Sequence, residues 1–214
     1  MEFLDPDLER YVEAHTENEN ELLYRINRET HTEVLKPRML SGHLQGRVLS
    51  MISHMIQPKN ILEIGTYTGY SALCMAEGLQ NDGKLITVDV NEELKDRLTE
   101  YFNESDFAEK IELKIGKALD IVPKLDVEWD MVFIDADKSN YQNYYDICID
   151  KVKTGGYILV DNVLWSGKVL EKNRKKLDKD TEAMLNFNEF VHKDERVQNV
   201  LFPIRDGLMI LRKK

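Results

Sequence analysis

The chain has 214 residues, room for one α/β domain with a few extra helices but not for two full domains. Its 42% apolar and 32% charged residues lie far from the composition of disordered chains, so a single buried core is expected. A formal charge of -10 repels polyanions at long range and argues against a general nucleic-acid binder, leaving room only for a local basic patch.

The opening MEFLDPDLERYVEAH is acidic and has no basic segment followed by an apolar run, so no secretory signal is expected there. No window approaches the roughly 18 apolar residues of a membrane helix. Cys74 and Cys148 both fall in amphipathic stretches and read as buried thiols, which favours a reducing, cytoplasmic setting.

In chain order, Asp5-Pro6 opens a short helix, and a second covers Glu17 to Leu35, with Leu22, Leu23, Ile26 and Val34 at roughly helical spacing. A third, Gly42 to Ile56, places Leu44, Val48, Leu49, Ile52 and Ile56 on one face. Pro37 and Pro58 interrupt the helical pattern. Residues 1–57 therefore read as a helical cover and 58–214 as the α/β core of one domain.

From Pro58 the pattern alternates. Strands are expected at Asn60–Ile64, Lys84–Val88, Ile111–Ile115, Asp130–Ile134 and Tyr157–Val160, the last after a turn at Thr154-Gly155-Gly156. Helices are expected at Gly69–Leu79, Asn91–Phe102, Ala118–Leu125 and Tyr141–Val152 between them. Parallel strands need crossover connections, so this alternation implies a parallel sheet covered on both faces. A lysine-rich stretch, SGKVLEKNRKKLDKD, reads as a loop or lid before a helix at Thr181–His192. The runs VQNVLFPI and GLMILRKK, joined at Arg205-Asp206-Gly207, read as a hairpin at the sheet edge.

The segment ILEIGTYTGYS runs from a strand through a glycine turn into a helix, where open α/β sheets bind cofactors. Its G-x-x-x-G spacing differs from the G-x-G-x-x-G that admits a pyrophosphate. Glu63 at the strand end would repel a diphosphate but suits an ammonium, such as the α-amine of S-adenosylmethionine. Gly65 permits the sharp turn and Gly69 a close approach to the opening helix. Asp89 can accept from both ribose hydroxyls or cap the helix after it, a task Asn91 can also fill. Ser71 reads equally as a ligand contact or a first-turn serine, and Gly116-Lys117-Ala118 as an adenine slot or a plain turn.

Asp135 ends the fourth strand, and Asp161 with Asn162 ends the fifth, on the carboxyl edge of one sheet. Two carboxylates and an amide carbonyl form an all-oxygen set suited to magnesium or calcium rather than zinc; the alternative for Asp161-Asn162 is an ordinary turn after a strand. Such a cation could fix and acidify a substrate hydroxyl in line with a methyl sulfonium. Lys138, its pKa lowered beside the cation, could act as base, or else is a solvated lysine at a helix start. Asp137 reads as a helix cap or a support for the ligands.

The segments ILEIGTYTGYSAL, FIDADKSNYQNYYD, GGYILVDNVLWSGKV and IRDGLMILRKK resemble the cation-dependent O-methyltransferases, the group of catechol and caffeoyl-coenzyme A O-methyltransferases and their small bacterial relatives. The match runs from about Lys36 onward. It implies a Rossmann-like class I methyltransferase fold, a mostly parallel seven-stranded sheet with an antiparallel last strand. It also implies Asp135, Asp161 and Asn162 as metal ligands, for Mg2+ first or Ca2+ or Mn2+, and Lys138 and Asp135 as catalytic residues. Glu63, Gly65, Thr66, Ser71, Asp89, Ala118 and Asp135 are implied cofactor contacts, with Met39 and Ser41 closing over the methionine end. Where relatives often read S-P-x-x-G, this chain has Ser41-Gly42-His43-Leu44-Gln45-Gly46.

The implied function is transfer of a methyl group from S-adenosylmethionine to a hydroxyl of a small metal-chelating substrate such as a catechol-like phenol, by a homodimer in the family habit. An alternative acceptor is a hydroxylated uridine in transfer RNA, for which Lys168, Lys172, Arg174, Lys175, Lys176 and Lys179 could form a basic surface; otherwise these form a solvated loop. A non-catalytic nucleotide-binding protein on the same fold is the remaining reading.

Overall fold

The computed structural model describes residues 5–170 and 177–214. Lys172, Arg174, Lys175 and Lys176 of the expected basic surface lie outside the described residues. Helix α1 (Pro6–Ala14) is capped by Asp5, whose carboxylate accepts from the Asp7 N–H, and α2 (Glu21–Glu33) by Asn20. A 3-10 turn at Pro37–Met39 leads to α3 (Gly42–Ile56).

The core follows as β1 (Asn60–Ile64), α4 (Tyr70–Ala76), β2 (Lys84–Asp89), α5 (Lys95–Glu104), β3 (Ile111–Ile115), α6 (Ala118–Ile121), β4 (Trp129–Ile134), α7 (Tyr141–Ile149), β5 (Val152–Val160), α8 (Lys179–Lys193), β6 (Val197–Phe202) and β7 (Leu208–Lys213). The seven strands make one sheet in the order β3-β2-β1-β4-β5-β7-β6. β7 runs antiparallel to both β5 and β6, and the other pairs are parallel. One face of the sheet packs on α6, α7 and α8 and the other on α2, α3, α4 and α5, as the two clusters of buried side chains show. Among the described residues no helix is long and apolar enough to cross a membrane, and Cys74 and Cys148 are buried free thiols.

Three local expectations are corrected. Thr154-Gly155-Gly156 is not a turn before the strand: β5 begins at Val152, and its register with β4 shifts between Trp129 and Met131. Gly155, at φ +84°, and Gly156, where a Cβ would sit 3.1 Å from the Asp130 carbonyl, let the strand bulge without ending. Helix α4 stops at Ala76 rather than Leu79, because Gly78 lies against the Ser53 backbone of α3, with room for no Cβ. Similarly, Pro123 sits in a 3-10 turn, Val122–Lys124, that ends α6 early.

The buried face of α3 also differs from the apolar stripe. Its buried residues are Gln45, Gly46, Leu49, Ser50 and Ser53, while Val48, Ile52 and Ile56 pack at the flanks. Close approach explains this. A Cβ on Gly46 would lie 2.5 Å from the Tyr70 ring and 2.8 Å from Cys74 Sγ, so small residues mark the line where α3 meets α4.

Candidate active site

The strand register lines up five chain segments along the carboxyl edge of the sheet. Gly116 N–H donates to Asp89 O at 2.8 Å, Gly65 N–H to Val88 O at 2.9 Å, Asp135 N–H to Ile64 O at 2.9 Å and Asp161 N–H to Ile134 O at 3.0 Å. Gly116, Asp89, Gly65, Asp135 and Asp161 thus follow the tips of five adjacent strands. In an open α/β sheet this edge is where ligands bind.

At the glycine turn, Gly65 has φ +103°, and a Cβ there would come within 2.0 Å of the Asp135 carbonyl oxygen. Only glycine lets β1 turn this close to β4. Tyr67 follows with φ +48°, its N–H donating to Asp89 Oδ2 at 2.8 Å, while Asn91 N–H donates to Asp89 Oδ1 at 2.8 Å. Asp89 therefore clamps the turn, and Asn91 performs the capping, accepting from Glu93 N–H.

Glu63 is wholly buried, with Ser71 Oγ and Thr87 Oγ1 both donating to its carboxylate at 2.5 Å. Burial pushes its pKa up to about 8, against the lowering effect of those two hydroxyls. Thr66 Oγ1 shares a 2.5 Å hydrogen bond with Thr87 Oγ1, closing the hydroxyl cluster. Glu63 faces these hydroxyls rather than open space, so the turn is supported from beneath. Ala118 is buried at the start of α6.

The helical cover is tied to this turn. Thr30 Oγ1 donates to Thr68 Oγ1 at 3.1 Å, and Tyr67 Oη to Leu35 O at 3.1 Å. Ser41 is buried, whereas Met39 is 52% exposed. A cleft of about 680 Å³ opens between α1, α2 and the start of α3; it touches Ser41 and Arg205 but none of Asp135, Lys138, Asp161 or Asn162.

At the chemical end, Lys138 Nζ donates to Asp135 Oδ1 at 2.9 Å and to Tyr141 Oη at 2.5 Å. Tyr141 Oη in turn donates to the Asp161 carbonyl at 3.1 Å. Lys138 is mostly buried, which alone would lower its pKa, but Asp135, Tyr141 and Asp161 outweigh burial and hold the ammonium above the usual lysine range. It is not a solvated lysine. Asp161 is 3% exposed; burial first and the Asp135 charge second push its carboxyl pKa up. Its oxygens accept from Gln45 Nε2 at 2.8 Å and from Asn162 N–H at 2.7 Å. Asn162 itself is left-handed, φ +60°, which breaks the strand direction at the tip. Asp137 accepts from Tyr144 Oη and Asn140 Nδ2; it stands at the N-cap position of the 3-10 turn Lys138–Asn140 but makes no side-chain capping hydrogen bond.

The donor chemistry here fits a hard cation. A part-buried carboxylate, Asp135, paired with Lys138, and a buried one, Asp161, stand on adjacent tips with an amide next to them, an oxygen set of the magnesium or calcium kind. Among the described residues no three His, Cys, Asp or Glu side chains cluster to hold a metal ion, so the set at these tips consists of two carboxylates and the Asn162 amide.

Gln45, Tyr141 and Arg205 are contacts that the sequence reading did not single out. The signal for Gln45 was a polar side chain one position from Gly46 on a helix that must bury one face.

Comparison with known proteins agrees with this architecture. Residues 13–214 match the family model described as O-methyltransferase. Caffeoyl-CoA O-methyltransferase 2 of Petunia hybrida is 36% identical over 179 residues, covering 79% of this chain and 74% of the relative. The SAH-bound methyltransferase PaMTH1 of Podospora anserina superposes with a TM-score of 0.88 at 26% identity, covering 97% of this chain and 94% of that one. The O-methyltransferase TomG of Streptomyces achromogenes, involved in tomaymycin synthesis and solved with SAM, gives 0.86 at 26% identity over 97% and 96%. With the fold of these neighbours and a family match over nearly its whole length, the chain belongs to the O-methyltransferase family and is a methyltransferase enzyme.

Proposed function

We propose that this O-methyltransferase moves the methyl group of S-adenosylmethionine, with a divalent cation, onto a hydroxyl of a small chelating substrate such as a catechol-like phenol. The observation that carries the reading is the pairing of Asp135 and Asp161 on adjoining strand tips, with Lys138 between Asp135 and Tyr141, one strand from the glycine turn. Support for the cofactor comes from PaMTH1 and TomG, which share the fold and were solved with SAH and SAM.

In this reading Gly65, Thr66, Asp89, Ala118 and Asp135 hold the cofactor, with Met39 and Ser41 over its methionine end, while Glu63, bonded to Ser71 and Thr87, supports the turn from beneath rather than meeting the cofactor ammonium. Asp135, Asp161 and Asn162 hold the cation. Bound there, the cation supplies Lewis acidity to the substrate hydroxyl and offsets the carboxylate charge that keeps Lys138 protonated. The step requires Lys138 Nζ as the neutral amine, its own proton first passing to solvent; it then takes the hydroxyl proton, the substrate oxygen forms the new bond to the methyl carbon, and the carbon–sulfur bond breaks to leave S-adenosylhomocysteine.

Methyl uptake from labelled S-adenosylmethionine onto catechol, a caffeoyl thioester of coenzyme A and hydroxyuridine-bearing transfer RNA tests this, with magnesium and with a chelator. Turnover on a catechol-type acceptor that the chelator abolishes and magnesium restores is the expected result. Turnover indifferent to the chelator would remove the cation; transfer to RNA alone would move the acceptor to the other reading.

A further inference from the structure

On the reading of Asp161 as a cation ligand, we infer that Gln45 is a positioning residue that sets the orientation of the Asp161 carboxylate from the helical cover. Gln45 is 2% exposed and lies on α3, outside the strand tips that carry the candidate chemistry. Its Nε2 donates to Asp161 Oδ2 at 2.8 Å, while the Asn162 N–H holds Oδ1 at 2.7 Å. Both carboxylate oxygens are thereby fixed by neutral donors, and each keeps a lone pair for a further partner.

The orientation of the amide is itself determined. Arg205 Nη1 lies 3.4 Å from Gln45 Oε1 and donates to Leu40 O at 3.1 Å, so the oxygen end faces a guanidinium and the nitrogen end a carboxylate. Reversal would set oxygen against carboxylate and N–H against guanidinium. The backbone position is equally constrained, since Gly46 brings α3 against the Tyr70 ring with no space for a Cβ.

Neutrality at position 45 matters. A lysine there would compete as a counterion for Asp161, whereas an amide orients the carboxylate and leaves its charge available. Supports of this kind behind a ligand set metal affinity without touching the metal.

The test is calorimetric titration of Mn2+ alone into the full chain, wild type and Gln45→Met, with S-adenosylmethionine titrated separately into each. Gln45→Met keeps the length of the side chain and removes both polar ends. A loss of about tenfold in Mn2+ affinity with cofactor affinity unchanged is expected. Equal Mn2+ affinity in the two proteins would overturn the inference, as would a parallel fall in both affinities, which marks a general loosening of α3. Wild-type protein that takes up no Mn2+ would overturn the ligand role of Asp161 itself, a separate outcome. Should Gln45→Met fail to fold, Gln45→Asn, whose amide stops one methylene short of Asp161, is judged by the same two affinities.

Discussion

The two ends of the carboxyl edge handle buried acid in opposite ways. At the glycine turn, each carboxylate is satisfied by neutral donors of its own neighbourhood: Glu63 by Ser71 and Thr87, Asp89 by the Tyr67 and Asn91 N–H groups. At the tips of β4 and β5, Asp135 pairs with Lys138, Asp161 accepts from Gln45 and the Asn162 N–H within the field of the same lysine, and repulsion from Asp135 adds to burial in raising the Asp161 pKa. The first end is a self-contained scaffold, its carboxylates satisfied within the turn. The second keeps negative charge unneutralised, which suits it to a cation.

Removing a carboxylate from the charged end should have the largest effect. Asp161→Ala is expected to cut metal-dependent turnover on the order of a thousandfold, the rate equivalent of roughly 4 kcal/mol, with cofactor affinity held within about tenfold. Steady-state kinetics beside calorimetry separates the two quantities. Normal turnover in the variant would erase the contrast between the ends.

At the scaffold end the expected damage is to folding. Gly65→Ala forces a side chain into φ +103° and drives a Cβ to 2.0 Å from the Asp135 carbonyl. A loss of about 3 kcal/mol or more in urea unfolding is expected, together with weaker cofactor binding. Unchanged stability would show that the turn is pliant.

The smallest effect sharpens the comparison by pH. Folding raises the Glu63 pKa from 4.5 to about 8, so the protonated carboxyl is the form the fold prefers. Its contribution is fully present below about pH 4.5 and is lost as pH rises through about 8. Glu63→Gln, neutral throughout, should therefore flatten the decline in thermal stability of the ligand-free protein across that window. A difference between variant and wild type that stays constant with pH would place Glu63 with the charged groups after all.

Much of this contrast was legible in the chain. Strand ends, the glycine turn and the two acidic tips are local patterns, and the strands Asn60–Ile64 and Ile111–Ile115 begin and end where alternation in the sequence puts them. What stayed hidden depends on close approach or on distance along the chain. The apolar stripe of α3 points beside its true contact line, because glycine and serine bury by proximity rather than by hydrophobicity. Gly155-Gly156 has the composition of a turn and the behaviour of a bulge. Nothing near Asp161 in sequence announces Gln45, 116 positions away, nor does anything near Gln45 announce Arg205, 160 positions away.

The placement of β7 between β5 and β6 carries a consequence for the order of assembly. The hydroxyl cluster under the glycine turn joins residues 21 and 24 positions apart, a short loop to close. The Asp161 side of the site waits on an interior strand from the far end of the sequence, whose turn delivers Arg205 to Gln45 and the Asp206 carbonyl to Leu164 N–H. Contacts of such long range form late and slowly. The glycine-turn side can take shape early as a local unit, while the Asp161 side is completed only when the whole chain has come together.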